Sequence, residues 1–313
     1  MKLVIQIPCY NEETTLPLTL KDLPSTIDGI DSVEILVIND GSTDDTVGIA
    51  TSAGVTEVLD LPYRRGLAEA FRRGIEKSLE MGADIIVNTD GDNQYKGEDI
   101  KKLVKPILDR KAEIVIGCRN MSEIKHFSGL KKALQKVGSH MVRCFSKTNI
   151  PDTTSGFRAY SREAALKMNV FSNYTYTLET IIQAGRKEIP ITHVEIGTNE
   201  KLRESRLIKS IPSYITRSIA TMLRVYLMYE PMKFFVQVGS VILFLGGLLG
   251  MRYMYFFFFG AKRGGHLQSL ILAAVLLLSG FILVVAGLLA DVIAANRKLN
   301  EEVLYRLKKD KRS

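Results

Sequence analysis

The chain has 313 residues, of which 46% are hydrophobic and 24% charged, and this composition excludes a disordered protein and a transporter with many membrane passes. Its net charge of +8 is unevenly distributed, because residues 201–313 hold 17 Lys and Arg against 6 Asp and Glu, whereas residues 1–200 hold 25 against 28. Basic residues beside apolar segments are typical of attraction to an anionic membrane surface, so a nucleic-acid partner is not expected.

Short apolar runs alternate with helical patterns along the first 120 residues. The predicted strands are Leu3–Ile7, Val33–Ile38, Glu57–Leu59, Ile85–Asn88 and Ile114–Gly117. The predicted helices between them are Glu13–Leu23, Thr43–Ala53, Leu67–Met81 and Glu98–Arg110. This β-α-β-α order predicts an α/β fold with a mostly parallel sheet covered by helices. In such sheets, ligands bind beyond the C-terminal ends of the strands.

Polar clusters follow three of these strands, and their loops are expected to converge on one crevice. They are Pro8–Glu12, Asn39–Ser42 and Thr89–Gln94. In the third cluster, Asp90 and Asp92 place two carboxylates close together, and Gln94 can add a neutral oxygen. A divalent cation with a preference for oxygen, Mg²⁺ or Mn²⁺, would relieve the repulsion and bind a substrate diphosphate. The alternative is that Asp-Gly-Asp-Asn is simply good turn composition.

Two long apolar segments occupy the C-terminal third. Phe234–Met251 continues into the aromatic cluster Tyr253–Phe259, and Leu267–Ala290 is the second segment. Each reaches the ~20 residues that a membrane-spanning helix needs, although two buried helices of a soluble core are the alternative. Residues 201–233 and 296–313 hold 7 Lys and Arg each, against 3 in the connecting hairpin, which predicts cytoplasmic termini. The apolar N-terminal stretch is too short for a signal peptide, so a cytoplasmic N-terminal domain is expected.

A basic amphipathic helix is predicted over Leu207–Tyr229, immediately before the first span. Its apolar stripe consists of Leu207, Ile208, Ile211, Ile215, Ile219, Met222, Leu223 and Tyr226. Such a helix is typical of the membrane interface, and packing on the soluble domain is the alternative. The predicted organisation is an α/β domain over 1–206, the amphipathic helix over 207–231, a membrane hairpin over 232–291 and a basic cytoplasmic tail over 292–313.

Four motifs, in order and spacing, resemble the family 2 glycosyltransferases with a GT-A fold. They are IPCYNEE at 7–13, VINDGSTDDT at 37–46, RRGLAEA at 64–70 and NTDGDNQ at 88–94. The resemblance implies a nucleotide-sugar donor whose binding residues are Pro8, Tyr10, Glu12, Asn39, Asp40 and Asp90. It also implies that Asp90 and Asp92, with Gln94 as a further ligand, hold Mg²⁺ or Mn²⁺ on the donor diphosphate. Two positions depart from the family pattern, since Asn39 replaces a usual Asp and Arg64 an Asn often found there.

The segment DTTSGFRAYSRE at 152–163 and the two apolar segments resemble the polyprenyl-phosphate branch of that family, typified by dolichol-phosphate mannose synthases and undecaprenyl-phosphate sugar transferases. The resemblance implies an enzyme of the cell membrane that transfers a sugar to a polyprenyl phosphate. The residues implied to bind the lipid phosphate are Arg119, Ser139, Arg203, Ser205 and Arg206. Asp92, Arg119 and Arg203 are the implied catalytic residues. Guanidinium groups suit a phosphate because their fork matches its oxygens, and a solvated surface role is the alternative for each.

The absence of an expected general base favours a phosphate acceptor over a hydroxyl acceptor. Relatives that use a hydroxyl acceptor often place Glu-Asp on a helix, where this chain has Glu179-Thr180. A lipid monophosphate has a second pKa of about 6, so it is already anionic near neutral pH and needs no base. The expected reaction is a single inverting displacement without a covalent intermediate. Two alternatives stay open: transfer to a glycolipid or glycan hydroxyl with Glu179 as base, and a non-catalytic membrane adaptor that binds nucleotide-sugar. The donor, the polyprenol and the oligomeric state are not predicted.

Overall fold

The structure is a computed structural model that describes residues 1–119, 143, 146, 148–171, 175–200, 211–259 and 267–310. In residues 211–218 it describes the backbone and only one side chain, that of Thr216. The chain divides into two compact units, Met1–Leu223 and Arg224–Ser313.

The first unit contains a sheet of seven described strands. In chain order they are β1 (Lys2–Cys9), β2 (Ser32–Asn39), β3 (Glu57–Asp60), β4 (Ile85–Asn88), β5 (Ile114–Arg119), β6 (Arg158–Ser161) and β7 (Ile191–Ile196). Their order across the sheet is β3-β2-β1-β4-β6-β5-β7, and of these strands only β6 runs antiparallel to its neighbours. The predicted α/β fold with a mostly parallel sheet is confirmed, as are the five predicted strands.

The described helices of the first unit lie between and after these strands. They are α1 (Leu16–Asp22), α2 (Thr46–Ser52), α3 (Leu67–Glu80), α4 (Ile100–Leu108), α5 (Arg162–Lys167) and α6 (Thr177–Arg186). In α3 the buried residues Phe71, Gly74, Ile75 and Ser78 follow the helical period, which explains why its sequence predicts an amphipathic helix. The helices α1 and α2 begin three residues later than predicted.

The parallel register brings the C-terminal ends of three strands to one edge of the sheet. Cys9 at the end of β1 pairs with Asn39 at the end of β2, and Gln6 of β1 pairs with Asn88 at the end of β4. The loops that follow β1, β2 and β4 therefore begin side by side, as the sequence predicts.

The helix α7 (Ile211–Tyr229) occupies most of the predicted amphipathic segment. Met222 is 3% exposed, whereas Ile219 and Leu223 are 45% and 41% exposed, so the described part of the predicted apolar stripe is only partly covered by protein. Leu207 and Ile208 lie outside the described residues. A location of α7 at a membrane interface stays a prediction.

Two helices of the second unit are long and apolar enough to cross a membrane. They are α8 (Pro231–Phe259) and α9 (Leu267–Asp310), with 29 and 44 residues. Each contains one predicted span. The helix α9 also continues through most of the predicted basic tail, and at 1.5 Å per residue it is about 66 Å long, twice the ~30 Å of bilayer hydrocarbon.

Small residues allow α8 and α9 to approach closely. A Cβ added at Gly280 would lie 2.9 Å from the main-chain oxygen of Gly239 and 2.7 Å from Cγ of Leu243. The buried residues of α9, which recur every seven positions, are Ala273, Gly280, Gly287 and Ala294. This stripe faces α8 at Gly280 and Gly287, where a side chain has no space.

Replacing Gly280 by Leu is expected to destabilise the helix pair by about 1–3 kcal/mol, since the new side chain would force the two backbones apart. The measurement is the thermal midpoint of unfolding of the purified chain in detergent, monitored by circular dichroism. The matched control is Gly247→Leu, because a Cβ at Gly247 meets no described atom within 4 Å. Equal midpoints for the two variants would contradict the close packing of α8 and α9.

Candidate active site

The loops that follow β1 and β2 are joined by hydrogen bonds between their polar residues. The N–H of Asn11 donates to Oγ of Ser42 at 2.9 Å, and the N–H of Thr43 donates to Oδ1 of Asn11 at 2.8 Å. The N–H of Glu12 donates to Oγ1 of Thr46 at 2.9 Å. Because these bonds compete with helix formation, α1 and α2 start later than their sequences predict.

Asn39 and Asp40, two predicted nucleoside-binding residues, are buried and support a neighbouring loop. The carboxylate of Asp40 accepts the N–H of Arg65 at 2.7 Å and the N–H of Gly66 at 2.8 Å. Nδ2 of Asn39 donates to Oδ1 of Asp60 at 2.7 Å. Asp40 therefore fixes the loop that precedes α3. A direct contact of either residue with a nucleoside stays a prediction.

The other residues predicted to bind the nucleoside lie around the end of β1. Pro8 is buried within β1, and Glu12 is 5% exposed, with Oε2 accepting a hydrogen bond from Oγ1 of Thr15 at 2.7 Å. Tyr10 is half-buried, and the guanidinium carbon of Arg64 lies 4.1 Å from the centre of its ring. One of the two departures from the family pattern, Arg64, therefore stacks on a predicted nucleoside contact.

Asp90, Gly91 and Asp92 form the turn after β4. Oγ1 of Thr15 in the first loop donates to the main-chain oxygen of Gly91 at 2.9 Å. A Cβ added at Gly91 would lie 2.9 Å from Sγ of Cys9, so the turn packs directly on the end of β1. The structure thus places the predicted acid pair next to the predicted nucleoside-binding loops.

The donor set of this turn fits a divalent cation that also contacts a ligand. Asp90 and Asp92 are half-buried, and Oδ1 of Asp92 accepts the N–H of Gln94 at 3.2 Å. Within the described part of the chain, no group of three or more His, Cys, Asp or Glu side chains could hold a metal ion. Mg²⁺ is commonly bound by one or two carboxylates together with waters and substrate phosphates, and the two half-buried carboxylates of Asp90 and Asp92 match that pattern. The metal-binding roles of Asp90, Asp92 and Gln94 stay predictions.

Arg119, at the end of β5, forms a buried ion pair with Asp152. Nε donates to Oδ2 of Asp152 at 2.8 Å, and Nη2 donates to Oδ1 at 3.2 Å and to Oγ1 of Thr154 at 3.0 Å. The side chains of Arg119 and Asp152 are 19% and 1% exposed. Burial alone would raise the pKa of Asp152, but the charge and hydrogen bonds of Arg119 lower it below its usual value. Among the described residues, Nη1 of Arg119 has no hydrogen-bond partner. Binding of an acceptor phosphate by Arg119 stays a prediction.

The other residues predicted to bind an acceptor phosphate lie outside the described residues. They are Ser139, Arg203, Ser205 and Arg206. The chain just before Arg203 is attached to the loop that follows Asp92, since Nδ2 of Asn199 donates to the main-chain oxygen of Asn93 at 3.1 Å. The N–H of Asn199 also donates to the main-chain oxygen of Gln94 at 3.0 Å.

Glu179, the alternative catalytic base, is 1% exposed on α6. Its two carboxylate oxygens accept the N–H of Phe171 at 3.0 and 3.2 Å, and Oε1 also accepts Nε2 of Gln183 at 3.2 Å. The carboxylate of Glu179 therefore stabilises the segment before α6, because it accepts a main-chain N–H of that segment.

The sequence singles out the segment 152–163, but no individual role was predicted for the residues that lie between the acid pair and Arg119. Tyr95 is 6% exposed, its hydroxyl accepts the N–H of Gly156 at 3.1 Å, and burial raises the pKa of Tyr95 to about 12. A Cβ added at Gly156 would lie 3.1 Å from both carboxylate oxygens of Asp90. The sequence feature that could have located this turn is Asp152 followed by hydroxyl residues ahead of Gly156. Such a composition is typical of a turn with side-chain hydrogen bonds.

The first unit has the mostly parallel α/β sheet of the GT-A fold. Residues 4–168 match the family model described as Glycosyl transferase family 2. This match spans more than half of the chain, so the chain belongs to glycosyl transferase family 2 and is a glycosyltransferase.

Relatives of known name lie in several bacteria and archaea. The undecaprenyl-phosphate mannosyltransferase of Micrococcus luteus is 28% identical over 69% of this chain and 93% of its own length. The UDP-N-acetylglucosamine–dolichyl-phosphate N-acetylglucosaminyltransferase of Methanococcus voltae is 27% identical over 61% of this chain and 83% of its own. The polyprenol monophosphomannose synthase of Mycolicibacterium smegmatis is 26% identical over 61% of this chain and 77% of its own length.

A solved structure shares the fold. The glucosyl-3-phosphoglycerate synthase of Mycobacterium tuberculosis, in complex with Mn²⁺, UDP-glucose and phosphoglyceric acid, superposes with a TM-score of 0.58 at 22% identity. The match covers 72% of this chain and 79% of that one. The likeness establishes the GT-A fold of the first unit.

Proposed function

We propose that the chain is a membrane-anchored, metal-dependent, inverting glycosyltransferase that moves a sugar from a nucleotide-sugar to a polyprenyl phosphate. The main observation in support is the position of Asp90 and Asp92, which form a turn between the loops predicted to bind the nucleoside and the segment that packs on Arg119. Named relatives in this family transfer sugars to undecaprenyl, dolichyl or polyprenol phosphates, which supports the same acceptor class here.

Donor binding is assigned to the loops after β1, β2 and β4. Tyr10 would contact the nucleoside directly, while Asp40 keeps the RRG loop in place through its bonds to two main-chain amides. Asp90 and Asp92 would hold Mg²⁺ or Mn²⁺, with Gln94 as a further oxygen ligand, and the cation would neutralise charge on the departing nucleoside diphosphate. A structural neighbour contains Mn²⁺ together with UDP-glucose, which supports this assignment.

Acceptor binding is assigned to the basic cluster that begins with Arg119. Its Nη1 group would bind the phosphate, because Nε and Nη2 already donate to Asp152 and Thr154. Arg203 follows Asn199 by four residues, and four residues of fully extended chain span at most ~14 Å. The covalent chain therefore allows Arg203, and with it Ser205 and Arg206, to approach the loop that follows Asp92. These guanidinium groups would hold the phosphate oxygen in line with the anomeric carbon.

A phosphate acceptor requires no general base, and the environment of Glu179 agrees with that. Its carboxylate is buried and accepts the N–H of Phe171 with both oxygens, so it has a structural role in the segment before α6. Catalysis would then rest on alignment of the phosphate oxygen with the anomeric carbon and on charge stabilisation, with one displacement and inversion.

The proposed location is the cell membrane, with α8 and α9 as a two-pass hairpin. The basic residues at both ends of the hairpin favour cytoplasmic termini and a cytoplasmic catalytic domain over residues 1–206. The segment 207–231 would lie at the interface, where the headgroup of the lipid acceptor emerges, and residues 292–313 would be cytoplasmic.

The test is to incubate membranes that contain the chain with a panel of radiolabelled nucleotide-sugars and Mn²⁺, then extract the lipids. We expect one nucleotide-sugar to label a lipid whose sugar resists mild alkali and is released by mild acid, as a glycosyl phosphate ester is. A labelled lipid that resists mild acid would indicate a hydroxyl acceptor. Absence of transfer from every donor by purified, folded protein that still binds nucleotide-sugar would instead indicate the non-catalytic adaptor.

The variant Glu179→Gln separates the two enzymatic alternatives. If the acceptor is a phosphate, the variant should keep its rate of transfer within about tenfold, whereas loss of a general base costs 10²–10⁴-fold, roughly. The rate is measured with the donor found in the panel. The pH profile is the control, since removal of a base would also abolish its acidic limb.

A further inference from the structure

A row of buried polar side chains crosses the sheet directly beneath the acid pair. Gln6 of β1 pairs with Asn88 of β4, and Asn88 pairs with Arg158 of β6. All three residues are 0% exposed. Nε2 of Gln6 donates to Oδ1 of Asn88 at 2.8 Å. Residues paired across neighbouring strands present their side chains on the same face, so this polar row forms one layer below the edge where Asp90 lies.

Arg158 is buried without a carboxylate partner. Its guanidinium donates to three main-chain oxygens, those of Thr153 at 3.1 Å, Ser155 at 2.7 Å and Thr177 at 2.9 Å, and to Oγ1 of Thr180 at 2.7 Å. All four acceptors are neutral, and the described residues supply no ion pair to it. Transfer of a charged side chain from water to the protein interior costs several kcal/mol. Apolar residues of similar volume often stabilise the fold equally well at buried positions that hold charged groups. Fold stability alone therefore does not explain an arginine here.

The segment that Arg158 binds lies between the two halves of the candidate active site. Gly156 packs against the carboxylate of Asp90, where a Cβ would lie 3.1 Å from both oxygens. Thr154 accepts Nη2 of Arg119 at 3.0 Å. Arg158 binds the main-chain oxygens of Thr153 and Ser155, so any displacement of its guanidinium would move both contacts together.

The rest of the polar row binds the same segment. Nδ2 of Asn88 donates to the main-chain oxygen of Gly156 at 2.9 Å and to the hydroxyl of Tyr176 at 2.8 Å. Tyr176 is itself buried and stacks on Phe71, with ring centres 3.8 Å apart. The main-chain oxygens of Ser155 and Gly156 are therefore both bound by buried side chains, which fixes their position relative to Asp90.

We propose that Arg158 is a positioning residue, which holds segment 153–156 so that Asp90 and Arg119 keep the separation required by the transfer reaction. The inference rests on the proposed function, because it assigns Arg158 a role in the metal and acceptor sites of that reaction. Arg158 itself does not touch the reacting atoms. A displacement of about 1 Å in such an arrangement can reduce a rate by about 10²-fold.

The test compares four variants of the full chain in detergent. Arg158→Met removes all four hydrogen bonds, and Arg158→Lys keeps the charge but loses the fork. Thr180→Val removes one acceptor. The matched control is Arg162→Met, since Arg162 also donates to a main-chain oxygen, that of Ala83 at 3.2 Å, but at the opposite end of β4. Three quantities are measured for each: the thermal midpoint, Mn²⁺ affinity by electron paramagnetic resonance, and kcat per folded molecule.

We expect Arg158→Met to bind Mn²⁺ at least about tenfold more weakly and to lose about 10²-fold in kcat, even at saturating Mn²⁺. Arg158→Lys and Thr180→Val should show smaller losses of the same kind, and Arg162→Met none. A merely structural arginine would change the thermal midpoint but not Mn²⁺ affinity or kcat per folded molecule. If Arg158→Met does not fold, the same comparison is made with Arg158→Lys and Thr180→Val.

Wild-type Mn²⁺ affinity and kcat in the folded variants would overturn the positioning role and leave the proposed function intact. A wild-type chain that binds no Mn²⁺ would contradict the proposed metal site, and the positioning role with it. The two failures are therefore distinguishable from the wild-type measurement alone.

Discussion

The variant Asp92→Asn is expected to lose sugar transfer by about a thousandfold, because a neutral amide binds a divalent cation poorly and the charge on the leaving diphosphate is then unopposed. The fold should persist, since an Asn can keep the local bond from the N–H of Gln94 to Oδ1. The rate is measured with the donor found in the panel, at several Mn²⁺ concentrations.

The matched control for this variant is Glu98→Gln, an exposed acid a few residues further along the same segment. It should transfer sugar at the wild-type rate. Transfer by Asp92→Asn at the wild-type rate, with an unchanged Mn²⁺ dependence, would show that the acid pair does not bind the cation.

The variant Asp152→Leu is expected to lower stability by about 3–5 kcal/mol, since it leaves the partly buried guanidinium of Arg119 without its carboxylate. For a unit of this size, the thermal midpoint should fall by about 10 °C. The control is Asp109→Asn, whose ion pairs with Lys105 and Lys111 are at the surface, so this variant should leave the thermal midpoint nearly unchanged.

The stabilisation by Asp152 should also depend on pH in one direction. The folded-state pKa of Asp152 is lowered, so its contribution is complete above the unfolded value of about 3.9 and is lost as the pH falls through the folded-state pKa. The stability difference between wild type and Asp152→Leu should therefore be largest near neutral pH and shrink in acid. A difference that grows in acid would contradict the assigned ion pair.

The double variant Arg119→Met with Asp152→Leu separates the structural role of this pair from its functional one. An apolar pair of similar volume should recover most of the stability lost by Asp152→Leu alone. Transfer should stay low, because Nη1 of Arg119 is the proposed phosphate contact. Recovery of both stability and transfer would show that Arg119 has only a structural role.

The sheet and the acid pair were predictable because they depend on local patterns. The strands β1 and β4 are buried, mostly apolar runs that end at polar clusters, and a parallel register then places Asp90 beside the loop after β1. The late starts of α1 and α2 were not predictable, since they depend on bonds between Asn11 and Thr43, which are 32 residues apart.

The polar row of Gln6, Asn88 and Arg158 below Asp90 could not be predicted either, because it also depends on contacts between distant parts of the chain. Arg158 lies in a four-residue strand without an apolar run, and an arginine in a sequence normally indicates a solvated position. Its burial follows from the antiparallel insertion of β6 between β4 and β5, which is a tertiary feature. Likewise, Asp152 becomes the partner of Arg119 only when segment 152–156 folds back along β5.

The most direct test of the account offers purified chain two acceptors that differ in one group, a polyprenyl phosphate and the corresponding polyprenol, with labelled nucleotide-sugar in detergent. We predict that label enters the phosphate-bearing lipid only, that EDTA abolishes the transfer, and that added Mn²⁺ restores it. Label in the polyprenol, or transfer that persists in EDTA, would contradict the proposal that the acid pair holds a cation on the donor while a lipid phosphate attacks the sugar.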